Sequence, residues 1–363
     1  MIYYTETVHY DHDLLKNSLS KGRDDYFEVL RRMGFRRIAI PPFRPRRFLS
    51  LKERVIFELR LTDAWRKSLK VLKAGDTLII HSPNSEKFIA FADMIRRLHK
   101  KGCRIVTITF ELETFFMMDY RRFARIKRSA SKRTEAVLFN VSDAVVVHND
   151  VMKNRLASAG FDGRKMFPVG VMDYLREEAL HIPPSSRISK DKPVIYAGHL
   201  TSEKSTFEYN LPEGFRCNLY GQDYTGPVNE YVCYKGVFDP IELMDIMEGS
   251  FGLVWEGNSV DGCYGAYGDY LTFNNPHKIA LYLASGIPVI VWNGAAMADF
   301  VRKEKCGLTV DNLREVPGLI DSLTDEEYEE MKKSACRVGN EMRKGVHIRN
   351  AVEKALEHID EQI

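Results

Sequence analysis

Asn274-Asn275-Pro276-His277-Lys278-Ile279-Ala280-Leu281-Tyr282-Leu283-Ala284-Ser285-Gly286-Ile287-Pro288-Val289-Ile290-Val291-Trp292 reads as a helix, a stop and a buried strand in one run. Asn275 suits an N-cap, Pro276 is preorganised for the first helical position, and Gly286 suits a left-handed stop. The β-branched run that ends at Trp292 then has the character of a covered strand. Ile279 to Ala298 is apolar and long enough to cross a bilayer, but Ser285, Gly286, Pro288, Asn293 and Gly294 interrupt it. Helix, tight turn and strand is the better reading.

The same alternation extends outward. Val194 to Ala197, Cys217 to Tyr220, Gly252 to Trp255 and Leu308 to Val310 read as strands, with a helix near Pro240 to Glu248. Upstream, Thr77 to Ile80, Arg104 to Phe110 and Ala144 to Val147 are short β-branched runs, separated by segments of helical periodicity such as Lys87 to Lys100. Between the two sets, Leu175 to Asp191 loses the pattern and carries Pro183, Pro184 and two adjacent serines. The expectation is two doubly wound α/β domains over 1–174 and 192–335, a linker over 175–191, and helices over 336–363 placed to pack back on the first domain. Ligands would lie in a central cleft, at the carboxyl ends of the strands.

Composition narrows the function. With 363 residues, 44% of them hydrophobic and 28% charged, the chain can bury large cores, and a net charge of +3 excludes a general nucleic-acid binder. The six cysteines are scattered without metal or disulfide spacing, and residues 1–9 lack the basic and apolar regions of a secretory signal. Reduced thiols and a cytoplasmic location are expected.

Three loops carry candidate chemistry. The helix start at Asn275 points free N–H groups and a positive dipole end outward, and His277 and Lys278 in its first turn add donors where cations are disfavoured. An anion, most simply a diphosphate, would repair that mismatch; an ordinary capped helix with a solvated lysine is the plain alternative. After the strand ending at Ala197, Gly198 allows close backbone approach, while Thr201, Ser202 and Ser205 supply small donors and Lys204 a charge. The third loop, Trp255 to Tyr270, interleaves Gly262, Gly265 and Gly268 with Tyr264, Tyr267 and Tyr270, and carries Glu256, Asn258, Ser259 and Asp261. Such a loop suits recognition of a sugar or a base. In the first half, His81 follows one strand, and Glu111 and Glu113 follow another. All three should face the cleft, and either glutamate could act as a general base. Asp11-His12-Asp13 has the form of a metal-binding D-x-D but no strand-end context, and reads as a chance match.

Two basic clusters stand against the neutral average. Residues 31–54 hold nine Lys or Arg against Glu53 alone, interleaved with Phe35, Phe43 and Phe48, and residues 121–133 hold seven with no acid. A solvated charged face is the commoner explanation, and peripheral contact with an anionic membrane the more specific one.

Phe251 to Ser259, Gly268-Asp269-Tyr270 and the stretch from Asn274 to Trp292 closely resemble the bacterial β-1,6-galactofuranosyltransferase and glucosyltransferase-3-like family of sugar transferases. Weaker matches run through Lys21, Asp24 or Asp25, Gly34-Phe35, Gly75-Asp76, Val147-His148-Asn149, Asp173-Tyr174-Leu175, Tyr196-Ala197-Gly198 and Leu219-Tyr220-Gly221.

The resemblance implies a GT-B glycosyltransferase, with two Rossmann-like domains, a UDP-sugar held mainly by the second and a glycan acceptor approaching from the first. By it, Asn274, Asn275, His277, Lys278, Gly198, Tyr220, Lys204 and Ser205 fall on the donor side. Glu256, Asn258, Ser259, Tyr270 and His81 then face the sugar or acceptor. No metal and no cofactor is implied, the UDP-sugar being a substrate. The transferred hexose would be galactofuranose or glucose, and the acceptor lipid-linked or protein-linked; a homo-oligomer is compatible with all of this. The chain departs from the family where a His-Asp pair commonly follows the third strand of the first domain, since Phe110 and Glu111 stand here. That departure motivates the competing reading, a catalytically silent relative that binds sugar or a partner transferase.

Overall fold

The computed structural model describes residues 1–7, 18–42, 50–82, 90–112, 134–201 and 206–362. It resolves into two compact units, each discontinuous in sequence. One comprises Met1–Leu14, Tyr26–Val169 and Arg349–Ile363, the other Leu15–Asp25 and Gly170–Ile348.

The first unit is built on a parallel sheet of 6 strands in the order β2-β1-β3-β4-β5-β6. These are β1 (Ile2–Thr7), β2 (Arg36–Ile40), β3 (Thr77–Ser82), β4 (Arg104–Thr109), β5 (Ala144–Val147) and β6 (Met166–Pro168). The helices that follow the strands are α1 (Ser18–Arg32), whose first half through Asp25 belongs to the second unit, α2 (Leu51–Ser68), α3 (Phe91–Lys100), α4 (134–141) and α5 (Asp150–Ser158). β3, β4 and β5 are buried almost throughout, as strands covered by helices must be, and read as continuous apolar runs for that reason. Leu61, Trp65, Leu78, Ile80, Ile95 and Ile105 form the centre of one hydrophobic cluster between sheet and helices.

The second unit repeats the plan with β7 (Val194–His199), β8 (Cys217–Gln222), β9 (Val232–Gly236), β10 (Gly252–Val254), β11 (Val289–Trp292) and β12 (Gly307–Val310). Its helices are α6 (Pro240–Ile246), α7 (Gly265–Leu271), α8 (His277–Ala284), α9 (Ala298–Glu304), α10 (Val316–Ser322) and α11 (Asp325–Lys344), while the last helix, α12 (Val346–Asp360), belongs from Arg349 onward to the first unit. The strand order is β12-β11-β10-β7-β8-β9, again all parallel.

The stretch from Asn274 to Trp292 folds as read: α8 stops at Gly286, whose φ of 72° needs the freedom of glycine, and β11 follows. No described helix is long and apolar enough to cross a membrane. From Ile279 to Ala284 every residue of α8 is buried, because the helix lies between the sheet and α11. The fit is tight on both sides. A Cβ at Gly252 would meet the Tyr282 ring at 2.2 Å, and one at Gly339 the Leu283 carbonyl at 2.1 Å. Arg343 of α11 donates to the Ala284 carbonyl at 2.7 Å and so satisfies the end of the buried helix. All six cysteines are free thiols.

The loop expected between Trp255 and Tyr270 is shorter than its glycines imply. It contains α7, and its turns are set by Gly257 at φ 101°, Gly262 at 153° and Gly265 at 81°.

Candidate functional site

Strand order in the second sheet reverses between β7 and β10. At such a reversal the connections leave in opposite directions, and the crevice at the carboxyl ends of the two strands is where a ligand fits. Here β7 runs out through Gly198, and β10 is followed by Trp255 and Glu256. The Tyr196 hydroxyl donates to the Trp255 carbonyl at 3.3 Å, tying the two strand ends together. Helix α8 closes over the same point, where the Tyr282 hydroxyl accepts from the Ala197 amide at 2.8 Å.

Lys278, in the first turn of α8, reaches this crevice. Its ammonium lies 5.1 Å from the centre of the Tyr196 ring, and a Cβ at Gly198 would stand 2.9 Å from Lys278 Cε. Any side chain at 198 would therefore displace the lysine. The ammonium pairs with Glu256, and the two side chains are only 11% and 10% exposed. The plain alternative of a solvated lysine is thus set aside: Lys278 is half of a shielded ion pair, and its loss would strand a carboxylate.

The helix start also differs from the sequence reading. Pro276, with φ −71° and ψ 134°, is the N-cap, and no described side chain caps the helix. Asn275 lies one residue further out, and its amide donates to the Gly170 carbonyl at 3.1 Å. Pro276 itself takes the extended backbone of a cap, so the first helical residue is His277 and Asn275 falls one position too early to cap. His277 supplies no charge. Burial holds its pKa down to about 4, and the nearby Lys21 adds to the effect.

That imidazole packs on α1. A Cβ at Gly22 would lie 1.8 Å from His277 Cε1, so residue 22 must be glycine for the ring to sit there. The first turns of α1 are fastened by Lys21 and Asp25, which pair with each other and share Leu175: Lys21 donates to its carbonyl at 3.0 Å, and Asp25 accepts from its amide at 3.0 Å. Lys21 also lies over the Tyr174 ring at 4.7 Å. Sequence reasoning did not assign a role to Gly22; the signal was a glycine inside a helical pattern.

Three buried polar atoms around the start of α8 have no hydrogen-bond partner among the described residues: Glu256 Oε2, Asn274 Oδ1 and His277 Nδ1. A buried polar atom left unpaired is costly, and native proteins keep few of them. Glu256 Oε2 belongs to the carboxylate that pairs with Lys278, and Asn274 and His277 flank the helix start in sequence.

Two family models match the chain, the glucosyltransferase 3-like N-terminal domain over residues 5–170 and the glucosyltransferase 3-like C-terminal domain over residues 194–355. The chain belongs to the glucosyltransferase 3-like family. It is 30% identical over 290 residues to the β-1,6-galactofuranosyltransferase WbbI of Escherichia coli K12, covering 79% of this chain and 81% of that one. It is 31% identical over 198 residues to glucosyltransferase 3 of Streptococcus gordonii, covering 53% and 55%. Among solved structures, the lipopolysaccharide outer core galactosyltransferase WaaB superposes with a TM-score of 0.56 at 10% identity, covering 98% of each chain. Anabaena HepE in complex with UDP superposes with a TM-score of 0.54 at 11% identity, covering 98% of this chain and 99% of that one. At such identities these two speak for the fold, which is GT-B. The chain is a glycosyltransferase.

Other residues expected at the site of this family member are placed variously. Tyr220 is a core residue of β8, its hydroxyl accepting from the Glu248 amide at 3.1 Å, which corrects its assignment to the donor. Tyr270 is likewise buried, its ring edge-on to Phe273 at 4.9 Å, because α7 turns it inward where an open loop was expected. Asn258 is exposed, and Ser259 holds a turn by accepting from the Asp261 amide at 3.0 Å. Lys204, Ser205, Glu113 and the Asp11-His12-Asp13 motif lie outside the described residues.

In the first unit, β3 runs on through Ser82, so His81 is a strand residue and not part of a following loop. It is 4% exposed and packs against the rings of Phe27 at 5.6 Å and Phe110 at 5.4 Å, which corrects its expected position facing an acceptor. Phe110 itself is edge-on to Tyr26 at 4.8 Å, and His148 Nε2 lies 3.0 Å from the Phe110 carbonyl. An aromatic cluster thus occupies the place where the family's histidine would stand. Glu111 follows β4 directly and is half-buried.

Proposed function

We propose that the chain transfers a hexose, galactofuranose or glucose, from a UDP-sugar to a lipid-linked or protein-linked glycan in bacterial polysaccharide or glycoprotein biosynthesis, with no metal. The setting is cytoplasmic and peripheral to the inner face of the plasma membrane. One observation carries the reading: a shielded lysine at a helix start, beside a glycine strand end at the sheet's reversal, with unpaired polar atoms on Glu256, Asn274 and His277. The complexes of Anabaena HepE with UDP and with UDP-glucose support a UDP-sugar as donor, and the galactofuranosyltransferase WbbI supports a transferred hexose.

In this mechanism the diphosphate enters at the start of α8, where free amides and the helix dipole favour an anion. Lys278 turns from Glu256 to the phosphate oxygens, and Gly198 lets the diphosphate approach the backbone. As the glycosidic bond breaks, charge grows on the departing UDP, and preorganised donors stabilise it there more than in the ground state. Glu256 Oε2 and Asn274 Oδ1 are acceptors, so they suit hydroxyls of the ribose or the sugar. Lys204 and Ser205 supply further phosphate donors. Glu111 takes the proton of the attacking hydroxyl, with Glu113 as the neighbouring alternative.

Calorimetric titration with UDP, with and without chelator, tests the proposal. Binding that survives the chelator supports a metal-free donor site. Absence of UDP binding in both arms sinks it.

A further inference from the structure

Helix α2 has two apolar faces, and the core uses only one. Leu61 and Trp65 turn inward and are 0% and 1% exposed. On the opposite face, at helical spacing, Val55, Ile56 and Leu59 are 52%, 40% and 65% exposed. The same face carries Lys52, Arg60, Arg66 and Lys67, all exposed. Of the acids on and beside that face, Asp63 is paired with Lys67 at 2.7 Å and Glu53 is engaged with Ser50. No residue from 52 to 60 is fully buried, and this half of the helix rests on the core through the half-buried Phe57. Its start is set by a full capping box between Ser50 and Glu53.

A contiguous aliphatic stripe on a soluble surface marks an interaction site. The surrounding cations say which kind. Two copies of this face would set like charges against each other, whereas an anionic bilayer accepts aliphatic side chains at its acyl boundary and lysine and arginine heads at its phosphates.

We infer that the outer face of α2 docks this chain on an anionic lipid bilayer, through Val55, Ile56 and Leu59 with Lys52, Arg60 and Arg66 around them. This deepens the peripheral-membrane part of the proposed function and rests on that part alone, not on the donor chemistry.

The test is flotation of the full chain with phosphatidylcholine vesicles, with and without about one third phosphatidylglycerol. The parent is expected to float with the anionic vesicles only, and to be released by salt. Val55→Ser combined with Leu59→Ser should weaken that binding about tenfold, and Lys52→Glu with Arg60→Glu should abolish it. Arg164→Glu, a charge reversal at an exposed residue elsewhere in the first unit, should float like the parent. UDP binding should be the same in all variants, which shows that they are folded. If the parent floats and the Val55, Leu59 variant floats equally well, another surface docks and the assignment to α2 is wrong, while the peripheral reading stands. If the parent does not float, both fall. Should the parent instead self-associate, with the apolar variant reducing its mass in sedimentation, the occupant is a second copy and the inference is overturned.

Discussion

The imidazole of His277 rests directly on the backbone of Gly22, so close that a methyl group at residue 22 would lie 1.8 Å from Cε1. Glycine inside a helix costs about 1 kcal/mol against alanine, and Gly22 sits within α1. The helix carries that cost because the residue beside Lys278 needs the space.

Gly22→Ala should therefore destabilise the protein by about 1 to 3 kcal/mol, the range for overpacking. In a His277→Ala background the same substitution should stabilise it, by about the helix preference of alanine. Denaturant melts of the four members of this cycle check the reversal of sign. Equal effects of Gly22→Ala in both backgrounds would show that the contact has no energetic weight.

Lys278→Ala should weaken UDP binding by about 1.5 to 3 kcal/mol, the value of a hydrogen bond to a charged group. It should also cost stability, by about 3 kcal/mol, because Glu256 is left buried and unpaired. Adding Glu256→Gln should restore most of the stability and none of the binding. Paired calorimetry and thermal melts separate the two effects; recovery of UDP affinity in the double variant would place the diphosphate elsewhere.

Asn275→Ala should lower stability by about 1 kcal/mol through the lost bond to the Gly170 carbonyl. Asn275→Asp distinguishes this from capping. An aspartate caps as well as asparagine but cannot donate, so it should be at least as damaging as alanine. Parent-like stability in Asn275→Asp would mean that capping was the role after all.

Two buried groups oppose each other in acid. Burial lowers the pKa of His277 to about 4, so the unfolded chain binds its proton first. This contribution to stability is present at pH 7 and is lost as pH falls from about 6.5 towards 4. Burial raises Asp25 to about 6 against the lowering effect of Lys21, so the native state binds that proton first and stability declines as pH rises from about 4 to 6. Asp25→Asn should steepen the gain in stability with pH across this window, and His277→Gln should flatten or invert it. Denaturant midpoints measured from pH 4 to 7 decide, and unchanged slopes in both variants would refute the assignment.

Glu111→Gln keeps shape and should keep donor binding. If Glu111 is the base, turnover with the true acceptor should fall roughly 10²- to 10⁴-fold. Glu113→Gln is the control. Loss of turnover in Glu113→Gln alone moves the role by two residues, and normal turnover in both means that this pair supplies no base.

Local pattern alone determined the α/β alternation, the strands Ala144–Val147 and Val289–Trp292, and the stop at Gly286, because covered strands and glycine stops leave continuous apolar runs and a residue type that few others replace. It was weakest at the edges. β2, β6 and β9 escaped notice because an edge strand buries few side chains, Ile38 and Ile40, Met166, and Val232 respectively, and the interior strand β1 escaped too because Thr5, Glu6 and Thr7 make it read as polar. It also named Lys278, Gly198 and Glu256 separately, from a helix start and two strand ends. Only the tertiary structure decided that they meet, since that depends on the order β10-β7 in the sheet, which brings residues 198, 256 and 278 to one crevice. It decided too that Tyr220, Tyr270 and His81 are packed inside and that His277 is neutral on Gly22. Those outcomes are set by which neighbours exclude water from a side chain, and neighbours as far apart in the chain as Gly22 and His277 leave no trace in local periodicity.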